Sequence, residues 1–381
     1  MERTVYEPEH EDYRRSVRLF LERHVVPHYA DWDARGIVDR GLFRAAADLG
    51  VFAEIPEEYG GAGLADFRFN CVLLEEAAAL AVAPAILGPA LQADVCMPYL
   101  LDLTTPEQRK RWLPGVAAGR TIVAIAMTEP GTGSDLAGIS TTARREGDHF
   151  VLNGAKTFIT NGINADLVIV AARTGEERHA GLSLLVVARG MPGFERGRNL
   201  GKIGQHAQDT AELSFTDVLV PVDNLLGEEG AGFRYLTANL PRERLSLAVS
   251  AQAMARAAIE WTIEHVRARH AFGRPIGDLQ SVRFRLAELS TEVEVSQAFV
   301  DRCIEELVAG RLTATDAARA KLWATEVQGR VMDACVQLHG GYGYMTEFPI
   351  ARAFVDSRVS RIYGGTSEIM KEIIGRSLQL T

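Results

Sequence analysis

Ile122-Val-Ala-Ile-Ala-Met127-Thr-Glu-Pro-Gly-Thr-Gly-Ser-Asp135 is where the texture of this 381-residue chain changes. A short apolar run of strand character enters a glycine-rich turn, whose exposed N–H groups suit a phosphate or the polar edge of a planar cofactor. Further β-rich runs follow at Phe150–Leu152, Leu167–Val170, Leu182–Val187 and Glu212–Phe215, with turn signals at Asn153-Gly154 and Asn161-Gly162 between them. No long helical pattern separates these runs, so they predict one antiparallel β domain ending near Gly230. Upstream, Tyr13, Val17, Phe20 and Leu21 recur at helical spacing, Leu42–Leu49 repeats the pattern before Gly50, and Thr105-Pro106 reads as a helix start. Downstream, helical periodicity returns at Gly232 and continues to the end, broken at Phe272-Gly-Arg-Pro275 and His339-Gly-Gly-Tyr-Gly343. The organisation is α+β with the sheet segregated in the middle: residues 1–120 helical, 121–230 β, 231–381 helical.

Bulk composition narrows the function. A net charge of −9 argues against nucleic acid or an anionic membrane as a partner. No stretch offers the roughly 18 consecutive apolar residues of a membrane span. Met1-Glu-Arg-Thr lacks a basic segment leading into an apolar run, so no secretory signal is expected. Cysteines at 71, 96, 303 and 335 show no Cys-x-x-Cys spacing, which suits a reducing, cytoplasmic setting and offers no metal site.

Four segments resemble, in order, the signatures of the acyl-CoA dehydrogenases. These flavoenzymes carry an N-terminal helical domain, a middle antiparallel β-barrel and a C-terminal four-helix bundle. Met127–Asp135 is similar to the family's flavin loop, which implies cofactor contacts from Ile125, Met127, Thr128, Gly133 and Ser134, with Ser134 also meeting substrate. Lys156-Thr-Phe-Ile-Thr-Asn-Gly162 resembles the second signature, with Phe158, Ile159 and Thr160 beside the isoalloxazine. Phe158 stands where many relatives have Trp. Arg269-His-Ala-Phe-Gly-Arg-Pro-Ile-Gly-Asp-Leu-Gln280 resembles the element in which Arg269, Phe272 and Gln280 bind the FAD of a neighbouring subunit. Gln337, Gly340 and Gly341 would complete that half, which implies a homodimer or homotetramer. In the closing loop, Arg361-Ile-Tyr-Gly-Gly-Thr-Ser-Glu368, the resemblance gives Thr366 and Glu368 to FAD and Gly364 and Gly365 to the thioester.

Most relatives place a glutamate base at the position of Gly364, which can take no proton. The long-chain and isovaleryl types move the base upstream, and Pro241-Arg-Glu-Arg-Leu245 puts Glu243 there. Helical neighbours of Glu243 are Leu236, Asn239, Leu240, Ser246, Leu247 and Ser250. A carboxylate among leucines is costly unless it is paired or functional, and desolvation would raise its basicity. Spacing alone leaves equally open a solvated Glu243 between Arg242 and Arg244. The resemblance, closest to the long-chain type, assigns Glu243 as the base and Gly364 as a main-chain donor to the thioester carbonyl. It also implies substrate contacts from Tyr235, Arg242 and Arg244, hydride transfer from the β-carbon to FAD, electron transfer to an electron-transferring flavoprotein, and a place in fatty-acid β-oxidation. Two alternatives stand beside it. A flavoprotein oxidase on the same fold (acyl-CoA or nitroalkane oxidase-like) would re-oxidise rapidly in air. A non-catalytic acyl-CoA or FAD-binding protein would leave its flavin unbleached by substrate.

Overall fold

The computed structural model describes residues 3–379; Met1 and Glu2, part of the stretch read for a leader, lie outside the described residues. The first third is helical: α1 (Pro8–His24), α2 (Tyr29–Arg35), α3 (Gly41–Leu49), α4 (Phe67–Ala79), α5 (Ala83–Leu91), α6 (Met97–Leu103) and α7 (Pro106–Ala117). Its ends follow local chemistry. Gly50 closes α3 at φ +93°, a left-handed conformation that favours glycine, and the Thr105 hydroxyl accepts the Gln108 N–H at 3.3 Å to open α7. Between α5 and α6 the backbone widens into a π-helical turn, Gln92–Cys96. Pro98, with no N–H to offer, stands two residues beyond it.

The middle strands are β1 (Val123–Ala126), β2 (Thr142–Glu146), β3 (His149–Thr160), β4 (Leu167–Arg173), β5 (Leu182–Ala188), β6 (Phe194–Asn199), β7 (Thr210–Pro221) and β8 (Leu225–Leu226). They pair in the order β6-β7-β3-β2-β4-β5-β8, with β1 added alongside β4. The sheet is not wholly antiparallel as expected, because β1 runs parallel to β4, with Val123 opposite Leu167. Asn153-Gly154, read as a turn, instead lies inside β3 at a break in its register with β7. A Cβ on Gly154 would come within 2.5 Å of the Thr141 hydroxyl, so glycine is required by the close approach of the residue that leads into β2. Of the strands that periodicity did not reveal, β2 and β6 are polar and largely exposed, and so carry little apolar alternation, while β8 is only two residues long.

The last third is built on α8 (Gly232–Ala268), followed by a small hairpin of β9 (His270–Ala271) and β10 (Arg274–Pro275), then α9 (Gln280–Val308), α10 (Ala314–His339), α11 (Pro349–Ser357) and α12 (Ser367–Ser377). Helices α8, α9 and α10 pack on one another, α11 and α12 lie against α10, and α4 crosses α8. One apolar core runs from the N-terminal helices through β1 to the first half of α8; a second fills the sheet around Phe150, Leu213 and Phe215. That continuity sets α8 against the N-terminal helices. Among the described residues no helix is long and apolar enough to cross a membrane.

Candidate active site

Glu243 lies at the start of the fourth turn of α8 and keeps only 6 % of its surface exposed. Its carboxylate accepts a hydrogen bond from the Tyr99 hydroxyl at 2.9 Å. Tyr99 follows the π-helical turn by three residues, and it also bonds Asn239, one turn before Glu243. The same turn is tied to α8 by Asp94, which accepts hydrogen bonds from Ser246 and Asn70. Burial pushes the Glu243 carboxyl up to about 7, and the Tyr99 hydroxyl and the Arg244 charge only partly oppose that rise. A carboxylate so placed is basic, shielded from water and half-ionised near neutrality, as proton abstraction requires.

The loop from Arg361 to Glu368 closes over the same stretch of α8. Gly364 and Gly365 take φ values of +62° and +99°. A Cβ on Gly364 would lie 2.3 Å from Leu247 Cδ1, so any side chain there meets the residue one turn beyond Glu243. Arg244, itself buried, donates from Nε to the Gly364 carbonyl at 3.3 Å. Glu243, Arg244, Gly364 and Gly365 thus converge. Three other expected residues are engaged elsewhere, and a fourth is exposed. Arg242 forms a two-pronged ion pair with Glu54 at 3.0 and 2.6 Å, and the Tyr235 hydroxyl accepts the Glu228 N–H at 3.0 Å. The Thr366 hydroxyl caps α12 by accepting the Ile369 N–H at 3.3 Å, and Glu368 is exposed in that helix's first turn.

After β1, the glycine-rich turn is pinned from below. Lys156, fully buried in β3, bonds Glu129 at 2.8 Å and the Met127 carbonyl at 3.0 Å. Burial would raise the Glu129 carboxyl, but bonds from Lys156, Ser140 and Thr141 overcome it and hold the group at about 2. The Thr157 N–H reaches the Thr128 carbonyl at 2.9 Å, so Thr128 and Phe158 are brought together. At Phe158, where β3 slips register against β7, φ is +60° and the residue is 67 % exposed. A backbone strained in order to leave an aromatic in the open marks a surface awaiting a planar partner. Thr128 and Thr160 are half-buried beside it, and Gly133 and Ser134 are exposed with open space at the Gly133 Cβ position. Ile125 and Ile159 are core residues, so only their main chain can face a ligand.

A concave site of about 440 Å³ opens at the far end of α8 and α10, lined by His265, Arg269, Gln337, Gly340, Gly341 and Tyr342. Gly340, at φ +59° and ψ −137°, adopts a conformation that only glycine takes readily. Cation, amide and bare backbone together suit a phosphate-bearing ligand. Phe272, at φ +54° and 91 % exposed, and Gln280 at the start of α9 lie outside this concavity. Ring surface and hydroxyls in one place, with a phosphate-type cradle in another, form a donor set that fits FAD.

Reading the sequence missed Tyr99, the Glu129–Lys156 pair and Asp94. Tyr99 is one polar atom inside an apolar segment, and no spacing rule connects it to a residue 144 positions on.

Three family models match consecutive parts of the chain: acyl-CoA dehydrogenase N-terminal domain over residues 7–120, middle domain over 124–218 and C-terminal domain over 230–379. The chain is 46 % identical over 380 residues to the long-chain specific acyl-CoA dehydrogenase, mitochondrial, of Sus scrofa, covering 99 % of this chain and 88 % of that protein. The crystal structure of an acyl-CoA dehydrogenase from Geobacillus kaustophilus superposes with a TM-score of 0.97 at 48 % identity, covering 100 % of both chains. A glutaryl-CoA dehydrogenase from Mycobacterium smegmatis, solved in complex with FADH2, gives 0.90 at 26 % identity, covering 99 % of this chain and 96 % of that one.

Proposed function

The chain belongs to the acyl-CoA dehydrogenase family and is an FAD-dependent oxidoreductase acting on an acyl-CoA, and we propose that Glu243 is the base of that reaction. The observation that carries this reading is a buried carboxylate, raised toward neutrality, on the helix face that meets a loop whose usual carboxylate position is Gly364. Bound FAD supplies the acceptor for the β-hydride. Glu243 takes the α-proton onto its carboxylate, while the Gly364 N–H is offered to the thioester oxygen to stabilise the charge that develops there. Arg244 holds the Gly364 carbonyl and so helps set the orientation of that loop. Tyr99 keeps the carboxylate aimed and partly offsets the penalty of its burial.

Phe158, Thr128 and Thr160 receive the ring system, with Ser134 at its open edge. Arg269, Gln337, Gly340 and Gly341 receive the dinucleotide half from a second copy of the chain, which makes the enzyme a homodimer or homotetramer. Phe272 and Gln280 belong to the same surface. The acyl chain runs from Glu243 toward a cleft lined by Leu74, Ile86, Leu87, Ala251 and Met254, with the loop residue Tyr363 at its wall. Ala251 and Met254 stand two and three turns beyond Glu243, roughly 12–16 Å along the helix. Electrons pass on to an electron-transferring flavoprotein, in fatty-acid β-oxidation. Four free, buried cysteines support a reducing compartment.

Anaerobic titration with saturated acyl-CoAs of increasing length tests the reading. Bleaching of the bound flavin with formation of the 2-enoyl product is the expected result. Unbleached flavin with every thioester refutes dehydrogenation, and rapid re-oxidation of the reduced protein by air would make it an oxidase.

A further inference from the structure

Lys321 stands in α10 with no exposed surface. A buried ammonium is costly unless a carboxylate compensates it. Here Nζ donates instead to the main-chain carbonyl of Gly365 at 2.6 Å, and no described carboxylate lies within ion-pair distance of it. Arg244 holds the carbonyl of the preceding residue, Gly364, from the other helix. Two buried cations therefore grip two consecutive carbonyls of the closing loop. Both glycines sit at positive φ and have no side chain to fix them, so their peptide planes need bonds from outside. The loop's flanks are bolted to α10 separately: Ser360 donates to Gln328 at 2.7 Å and Ser367 to Glu326 at 2.8 Å. Lys321 is the α10 contact that reaches the glycine pair itself.

We propose that Lys321 is a positioning residue for α,β-dehydrogenation. Together with Arg244 it fixes the two peptide planes that follow the Gly364 Cα, which anchors the Gly364 backbone so that its N–H, in the plane just before, is set for the thioester oxygen. It also keeps a second positive charge behind the loop, where the thioester gains negative charge. The inference rests on the reading of Gly364 as a carbonyl donor and assigns that geometry a cause outside the loop. The charged groups facing Lys321 are Arg244 from α8, Glu326 on its own helix and Glu368 from α12. Burial and then Arg244 lower its pKa to about 8, with the two glutamates opposing, so the cation is present at neutrality and lost in mild alkali.

The test uses the holoenzyme with Lys321→Met, which keeps length without charge or donor, and Lys321→Gln, which keeps a shorter neutral donor. FAD content and thermal midpoint serve as controls for folding. In anaerobic rapid mixing, the limiting rate of flavin reduction falls about tenfold or more in the Met variant, as loss of orientation at a reacting centre does. The Gln variant retains more of the rate, and the apparent Kd for acyl-CoA changes less than about threefold, since bulk binding does not depend on this bond. A wild-type limiting rate in the Met variant, or a Met variant faster than Gln, overturns the proposal. If neither variant yields holoenzyme, wild-type protein decides: its limiting rate must decline above about pH 8, and a flat profile to pH 10 overturns it. Full speed in Lys321→Met with an inert Glu243→Gln removes only this proposal, whereas full speed in both removes the base assignment as well.

Discussion

Replacing Tyr99 by Phe keeps the buried ring and removes the hydroxyl, and with it the 2.9 Å hydrogen bond to the Glu243 carboxylate and the bond to Asn239. A hydrogen bond to an ionised group contributes about 1.5–3 kcal/mol, and at about 1.4 kcal/mol per pKa unit its loss raises Glu243 by roughly 1–2 units. The acid limb of flavin reduction, which follows ionisation of Glu243 near 7, then moves to roughly 8–9. At pH 7 the ionised fraction drops from about one half to between one in ten and one in a hundred, so the variant reduces its flavin roughly 5–50-fold more slowly. The assay is stopped-flow reduction under anaerobic conditions from pH 6 to 10. The ratio of variant to wild-type rate should climb back toward one as pH rises past the new limb. A deficit that is constant at all pH values would mean that Tyr99 acts on something other than the proton affinity of Glu243, and an unmoved limb would remove Glu243 from the pH profile.

Three further outcomes follow from the same geometry. Gly364→Ala forces a Cβ into Leu247 at 2.3 Å on a left-handed backbone, costing on the order of 1–3 kcal/mol of stability and distorting the loop; unchanged thermal unfolding and activity would contradict this. Lys156→Met leaves Glu129 buried and unpaired, which costs about 3–5 kcal/mol and frees the glycine-rich turn, so the purified variant should lose FAD; full flavin content at wild-type stability refutes the pinning role. Glu243→Gln should stabilise the protein in urea, and the sign fixes the window. The folded pKa lies above the unfolded one, so the wild-type carboxyl is neutral in both states below about 4.5. It then loses stability relative to the variant as pH rises to about 7. The gain above that pH is on the order of 3 kcal/mol, from about 2.5 units, and equal midpoints for both proteins at pH 8 would speak against a desolvated carboxylate.

The helix–sheet–helix order was legible because each third keeps a single hydrophobic period over many residues. The exceptions are physical. Parallel pairing of β1 with β4 depends on where the chain returns, and no local pattern records it. Asn153-Gly154 has turn chemistry but serves a bulge, because the constraint at Gly154 is the neighbouring Thr141 rather than a chain reversal. At the site, Glu243 stood out as a charge on an apolar helix face, and Gly364 as a missing carboxylate in a familiar loop. What set their geometry did not stand out. Tyr99, Lys321 and the Glu129–Lys156 pair act across long separations in sequence, and each looks like an ordinary core or surface residue until the chain is folded. Arg242 shows the converse: it flanks Glu243 in sequence, but helical geometry points it toward Glu54.

Whether the α-proton goes to Glu243 is decided by mixing Glu243→Gln holoenzyme with a saturated acyl-CoA without oxygen and following the flavin band. Losing a general base predicts FAD content and thioester binding like the wild type, with reduction slowed by about 10²–10⁴-fold. Reduction at a near-native rate would mean that another group accepts the proton.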